Sequence, residues 1–285
     1  MTGEWDRLYE YDPSTEAAAL FGALFGISTA WHALQLFKGR TWSFIPFVIG
    51  GLFETVGYVA RAISTKVPEV EPHRRLFTIQ TVLILLAPAL YAASIYMVFG
   101  RIVRRLDAET HVLIRSKWTT KIFVTGDVIS FMTQGAGGGI LATADGNESK
   151  SKLGGNLIVG GLCIQLVVFG FFIIVTALFH RRMIQRPTDA ARQIQVPWVR
   201  HIYVLYAVSA LVMVRSIFRT IEYIEGRGGH LQTHEVYFYV LDTVLMFFVS
   251  AIFNIFHPSA ILQPRGKPGM SLDSSDEVEL SQKGR

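Results

Sequence analysis

Seven runs of apolar residues, at about 15–37, 42–63, 77–99, 120–142, 155–179, 201–222 and 236–256, dictate what this 285-residue chain can become. Each is close to the roughly twenty residues needed to cross the hydrocarbon core of a bilayer. Lipid offers no partner to a backbone N–H or C=O, so a spanning segment of this length closes its hydrogen bonds within itself as a helix. The expected fold is therefore all-α, a polytopic membrane protein built as a seven-transmembrane-helix bundle. Three parts are expected: an acidic N-terminal segment at 1–14, the transmembrane domain at 15–257 and a disordered tail at 258–285. Charged residues make up 17% of the chain, against about 25% in soluble domains. The single cysteine, Cys163, lies within an apolar run, which excludes an intrachain disulfide. Acidic residues at Glu4, Asp6, Glu10 and Asp12 replace the basic start of a cleavable signal peptide, so the first run is expected to stay as an anchor.

The basic residues outside the runs set the orientation. One side carries seven of the 27 Lys and Arg residues: Arg7, Lys66, Arg74, Arg75, Lys150, Lys152 and Arg227. The other side carries seventeen, concentrated in the third loop (Arg101 to Lys121), the fifth loop (Arg181 to Arg200) and the tail. Basic loops stay in the cytosol, so the N-terminus is expected outside and the C-terminus inside. Asn147-Glu148-Ser149, an N-x-S/T sequon, then falls outside, making Asn147 a glycosylation candidate. A net charge of +5 distributed between apolar runs is a topology signal, and no nucleic-acid partner is expected.

The remaining three basic residues, Arg61, Arg215 and Arg219, lie inside predicted spans, where a charge is costly and faces the bundle interior. The second span places Glu54, Tyr58 and Arg61 at i, i+4 and i+7, which is one helical face. The sixth repeats this with Arg215, Arg219 and Glu222, and the seventh with Glu235, Tyr239 and Asp242. The fourth span contributes Asp127 and Gln134, seven residues apart with Ser130 between them, and the fifth contributes Gln165. These stripes are expected to wall a hydrated pocket that opens outward, with Asp127 lying deeper toward the cytosol. Glu54, Asp127 and Asp242 are expected to offset the three arginines. Two readings of Arg215, Arg219 and Glu222 stay open: an ion-paired lock between helices, or a substrate contact. The run Gly135-Ala136-Gly137-Gly138-Gly139 reads as close helix packing rather than an unwound binding segment. His32 reads as a hydrogen-bonded interior histidine. Pro88 in the third span is expected to kink it.

Enzyme signatures are missing: the sequence contains no G-x-x-x-x-G-K-[ST], no H-E-x-x-H and no G-x-S-x-G. His230, His234 and Glu235 lie at the loop–membrane boundary without a second cluster, and three convergent metal ligands cannot be assembled from the sequence. The chain is read as a non-enzyme without metal or cofactor.

Several segments together resemble the fungal lipid-translocating exporter family, the RTA-like proteins. They are Leu86-Ala-Pro88-Ala-Leu-Tyr91-Ala-Ala-Ser-Ile-Tyr96 with Gly100-Arg101, Glu54-x-x-Gly57-Tyr58-x-x-Arg61, and Phe123-Val-Thr-Gly126-Asp127 with Gln134-Gly135-x-Gly137-Gly138. Arg215-x-x-x-Arg219-x-x-Glu222, and His234-Glu235 with Tyr239-x-x-Asp242, complete the pattern. The resemblance spans residues 10 to 262. It implies a seven-span protein, usually at the plasma membrane (otherwise an endomembrane or the vacuole), whose partners are membrane lipids and an amphiphilic small-molecule substrate. In this family such substrates include sphingoid long-chain bases, amino-sterols and porphyrin-type molecules, and members confer resistance to toxic amphiphiles. The alternative is a seven-span lipid sensor or receptor that regulates lipid asymmetry or stress responses without transport.

Overall fold

The computed structural model describes residues 13–66, 70–143, 147–193, 198–226 and 229–259. The acidic residues before 13 and the tail from 260 onward, both assigned roles from sequence, lie outside the described residues. Seven long helices follow one another: α1 (Thr15–Gly39), α2 (Ile45–Ser64), α3 (Val70–Arg105), α4 (Ser116–Ala142), α5 (Glu148–Gln185), α6 (Trp198–Glu225) and α7 (Glu235–Ile255). Short helical pieces at Trp42–Phe44, Asp189–Gln193 and His230–Thr233 lie between them, and no strand occurs among the described residues.

The ends follow local chemistry. Ser14 caps α1, its Oγ accepting the Ala17 N–H at 3.2 Å, and Asn147 caps α5 by accepting from Lys150 N–H at 3.2 Å. Arg40 closes α1 in the left-handed region at φ 47°. The helices overrun the apolar runs that predicted them. The 38 residues of α5 extend about 57 Å at 1.5 Å per residue, well beyond the hydrocarbon thickness. Its polar first turns and its basic end at Arg181 and Arg182 are helical because water and headgroups tolerate a helix as readily as lipid does.

Six of the seven, all but α4, are both long enough and apolar enough to cross a membrane. The 27 residues of α4 suffice in length, but Asp127, Gln134 and its glycines dilute its apolar character. Large apolar side chains nevertheless lie exposed on every one of the seven, for example Ile27, Ile49, Ile79, Met132, Val167, Ile224 and Phe248. An apolar coat of that kind is suited to lipid rather than water.

Successive helices run antiparallel. Along α1 and α2, Gly22 meets Tyr58, Gly26 meets Thr55 and Gly51 meets Thr29, one number rising as the other falls. The same reversal holds for α2 on α3 (Gly50 on Tyr91, Gly57 on Ile84), and for α4 on α5 (Gly126 on Val168, Gly137 on Gly154). Contacts between α1 and α7 close the bundle, and α3 runs through its centre against α2, α4 and α6. Tyr91, Tyr96, Phe99, Ile102 and Val103 of α3 are accordingly buried.

Within α4 the glycine run is continuous helix. A Cβ at Gly137 would lie 2.6 Å from the Gly154 carbonyl oxygen and 2.8 Å from Ile158 N, so only glycine lets the two backbones meet there. Gly135, Gly138 and Gly139 face open space. The close-packing reading of this run therefore holds at Gly137.

Candidate functional site

The interior charges gather where α6 and α7 meet α2 and α3. One turn of α6 separates Arg215 from Arg219, and both point at Asp242 of α7. Arg215 Nε donates to one carboxylate oxygen and Arg219 Nη2 to the other. Asp242 lies on a five-residue π-turn, Tyr239–Thr243, interrupting α7. Such turns are rare and recur at functional sites, because the extra residue re-aims a side chain. Arg219 Nη1 also donates to Glu222 at 2.9 Å. Pro88 explains a further contact. It has no N–H, so the Ile84 carbonyl one turn earlier has no helical partner, and Arg215 Nη2 donates to that oxygen at 3.4 Å. The helix α3 continues through Pro88.

A second pair sits toward the start of α7. Arg61 Nη2 donates to Glu235 Oε1 at 2.8 Å, and the Ser14 N–H reaches the same carboxylate at 2.9 and 3.0 Å. The N-terminus of α1 and the end of α2 are thereby fastened to α7. Phe238 lies between the two charged groups, its ring 4.7 Å from the Arg61 guanidinium carbon and 5.2 Å from that of Arg219. Tyr239 stacks on Phe21 at 5.4 Å. The Tyr58 hydroxyl is 2.5 Å from Thr243 Oγ1 and ties the π-turn to α2. Tyr58→Phe, which keeps the ring and loses this bond, should lower stability by about 0.5–1.5 kcal/mol in detergent unfolding curves.

These residues meet as their spacing predicts, but they do not wall a hydrated pocket. Arg215 is 2% exposed, Asp242 1%, Arg61 3% and Glu222 8%. The pairing also differs from the sequence expectation. Asp242 serves both Arg215 and Arg219, Arg61 takes Glu235, and neither Glu54 nor Asp127 forms an ion pair among the described residues. A charge this deep is tolerated only when paired and hydrogen-bonded, and Arg215 and Arg219 of α6 both pair with Asp242 across to α7. Glu54 stands apart. It is 1% exposed, its Oε1 has no hydrogen-bond partner, and it lies within electrostatic reach of Asp242, Arg215 and Arg219.

The polar face of α4 lies elsewhere, against α3 and α5. Ser130 donates to the Gly161 carbonyl at 2.6 Å, Gln134 donates to Ser130 at 2.8 Å, and Gln134 reaches Gln165 at 3.4 Å. Gln134 and Gln165 thus bind two helices together, not to the arginine cluster. Asp127, on the same face, is 5% exposed and both carboxyl oxygens lack a hydrogen-bond partner.

A polar seam joins α1 and α7. Ser28 and Ser250 hydroxyls meet at 2.6 Å, Asn254 donates to Ser28 at 2.6 Å, and His32 Nε2 lies 3.1 Å from the Ser250 carbonyl. Of these residues the sequence points only to His32, which is interior as expected and bonded through Nε2, while its Nδ1 is buried without a partner. Serines and an asparagine dispersed in apolar runs carry no charge signal, and pairing two helices distant in sequence needs the fold.

Long apolar helices closed around buried, paired charges define a multi-pass membrane protein. The chain belongs to the RTA1-like family: the family model described as RTA1 like protein matches residues 47–265. It is 37% identical to Protein RTM1 of Saccharomyces cerevisiae, over 88% of this chain and 91% of that protein. It is 35% identical to Protoporphyrin uptake protein 1 of the same species, over 87% and 91%. At 24% identity, over 90% and 77%, it is similar to Sphingoid long-chain base transporter RSB1, also from Saccharomyces cerevisiae. No solved structure matches the chain.

Proposed function

We propose that this protein is a seven-span translocator of amphiphiles at the plasma membrane, taking a cationic, lipid-like molecule such as a sphingoid long-chain base and exporting it. In this reading α4 crosses with the other six helices, the N-terminus lies outside and the tail in the cytosol. Asn147, exposed at the start of α5, is then accessible to glycosylation. The observation that carries the reading is the charge balance of the cluster. Among the described residues, Arg61, Arg215 and Arg219 face Glu54, Glu222, Glu235 and Asp242, so this set is one cation short, and the acid without an ion pair there is Glu54. An ammonium headgroup supplies the missing charge, while its alkyl chain remains among apolar side chains or in lipid. In this reading the headgroup passes Tyr58, Arg61 and Tyr239 to reach Glu54 from the Glu235 end when the bundle opens. The relatives fit this class: one is named for a sphingoid long-chain base and another for protoporphyrin uptake, and both cargoes are amphiphilic.

The test is flux of sphinganine across liposomes containing the purified chain. Wild-type protein should accelerate transfer, and Glu54→Gln should slow it about tenfold or more, since a hydrogen bond to a charged group contributes about 1.5–3 kcal/mol. Binding of sphinganine with no acceleration of transfer would replace the translocator with a seven-span sensor.

A further inference from the structure

Asp127 takes no part in the arginine cluster, and the helices around it treat it differently from its neighbours. Ser130 and Gln134, on the same face of α4, each have hydrogen-bond partners. Asp127 is as deeply buried, yet neither oxygen is bonded. From α3 the Tyr96 hydroxyl faces it, also without a closed hydrogen bond. The Tyr96 ring is held there by Phe123 of α4 at 5.3 Å and by Phe172 and Phe169 of α5 at 4.7 and 6.0 Å. The surroundings from α5 are uncharged: Val168 packs on Gly126, and Gln165 is turned to Gln134. Tyr96 is the one titratable group that bears on Asp127 among the described residues.

An ionised carboxylate requires two or more donors when water is removed, and this one has at most a single phenol. A neutral carboxyl requires far less, because its own O–H can point at the Tyr96 oxygen. We propose that Asp127, faced by Tyr96, is a proton-binding site that holds a proton in this closed conformation and exchanges it for an ammonium headgroup when the bundle opens. In that exchange the Asp127 O–H bond breaks, the proton passes to water, and the carboxylate left behind takes the substrate cation. Departure of the cation is matched by return of one proton, so one positive charge leaves for each that enters. The exchange half rests on the translocator reading above, whereas the proton-binding half does not.

Infrared titration of the full-length chain in lipid nanodiscs tests the first half directly. At neutral pH the wild type should show a protonated-carboxyl C=O band that Asp127→Asn removes. Tyr96→Phe should shift that band to higher frequency without removing it, which separates a local effect on the carboxyl from loss of fold. Identical carboxyl bands in wild type and Asp127→Asn at neutral pH would overturn the proposal. For the second half, sphinganine transfer is measured in proteoliposomes with and without an imposed pH gradient. The wild-type rate should change severalfold with the gradient, and in Asp127→Asn the ratio of the two rates should fall to one. An unchanged ratio in Asp127→Asn overturns the exchange. Absence of wild-type transfer under every gradient overturns the translocator and the exchange together, and the infrared band then decides the proton site alone.

Discussion

Asp242→Asn should yield a protein that cannot hold its bundle under conditions where the wild type is intact. The Asp242 carboxylate is the shared acceptor for Arg215 and Arg219, each through a different oxygen. The substitution keeps the size of the side chain but removes the charge, and one of the two oxygens becomes a donor facing a donor. Arg219 retains Glu222. Arg215 keeps only the Ile84 carbonyl as a hydrogen-bond partner among the described residues and lies 2% exposed. Breaking a buried pair by removing one partner costs about 3–5 kcal/mol, because the remaining charge is stranded. Thermal unfolding followed by fluorescence-detected size exclusion checks this. Glu222→Gln is the comparison, expected to cost far less because Arg219 still has Asp242. If Asp242→Asn and Glu222→Gln unfold at the same temperature, Asp242 is not the centre of the lock.

The second large effect is expected from a single methyl group at the α4–α5 seam. A Cβ at Gly161 would lie 2.6 Å from Gln134 Cγ and 2.8 Å from the Ser130 carbonyl oxygen. The second contact is backbone and cannot rotate away. Ser130 moreover donates to the Gly161 carbonyl, so parting the helices also breaks a hydrogen bond in a low-dielectric interior. Gly161→Ala should destabilise by about 1–3 kcal/mol, as overpacking does, and Gly161→Leu by more. Gly138→Ala is the control: nothing lies within 4 Å of its added Cβ, and alanine improves on glycine in a helix by about 0.5–1 kcal/mol. The same unfolding assay should therefore move in opposite directions for two glycine-to-alanine changes on adjacent helices. Equal destabilisation at both positions would mean that the glycines matter for flexibility and not for contact.

The i, i+4, i+7 spacing of Arg215, Arg219 and Glu222 established that they share a face, and the same holds for Glu235, Tyr239 and Asp242. It could not say which acid meets which arginine, because acids and arginines carried by different helices pair only through the rotation and depth of each helix. The offset expected of Asp127 failed for that reason, since α4 turns its acid toward α3 and α5. Equally, the five glycines of 135–139 look alike in sequence, yet Gly137 touches α5 and Gly138 touches nothing. One hundred degrees of helical rotation separates them.

What the sequence determined by itself is the class: apolar runs of bilayer length permit only helices, interior charges must turn inward, and motifs in five runs mark the RTA1-like family. Those conclusions depend on period and composition, which are local. Tertiary structure alone decided that Pro88 of α3 frees a carbonyl for Arg215, that a π-turn aims Asp242 at two arginines, and that Glu54 and Asp127 remain without ion pairs. Each of these depends on the relative placement of segments tens to more than a hundred residues apart, and buried electrostatics is set by such placement because a few ångströms separate a paired charge from a stranded one.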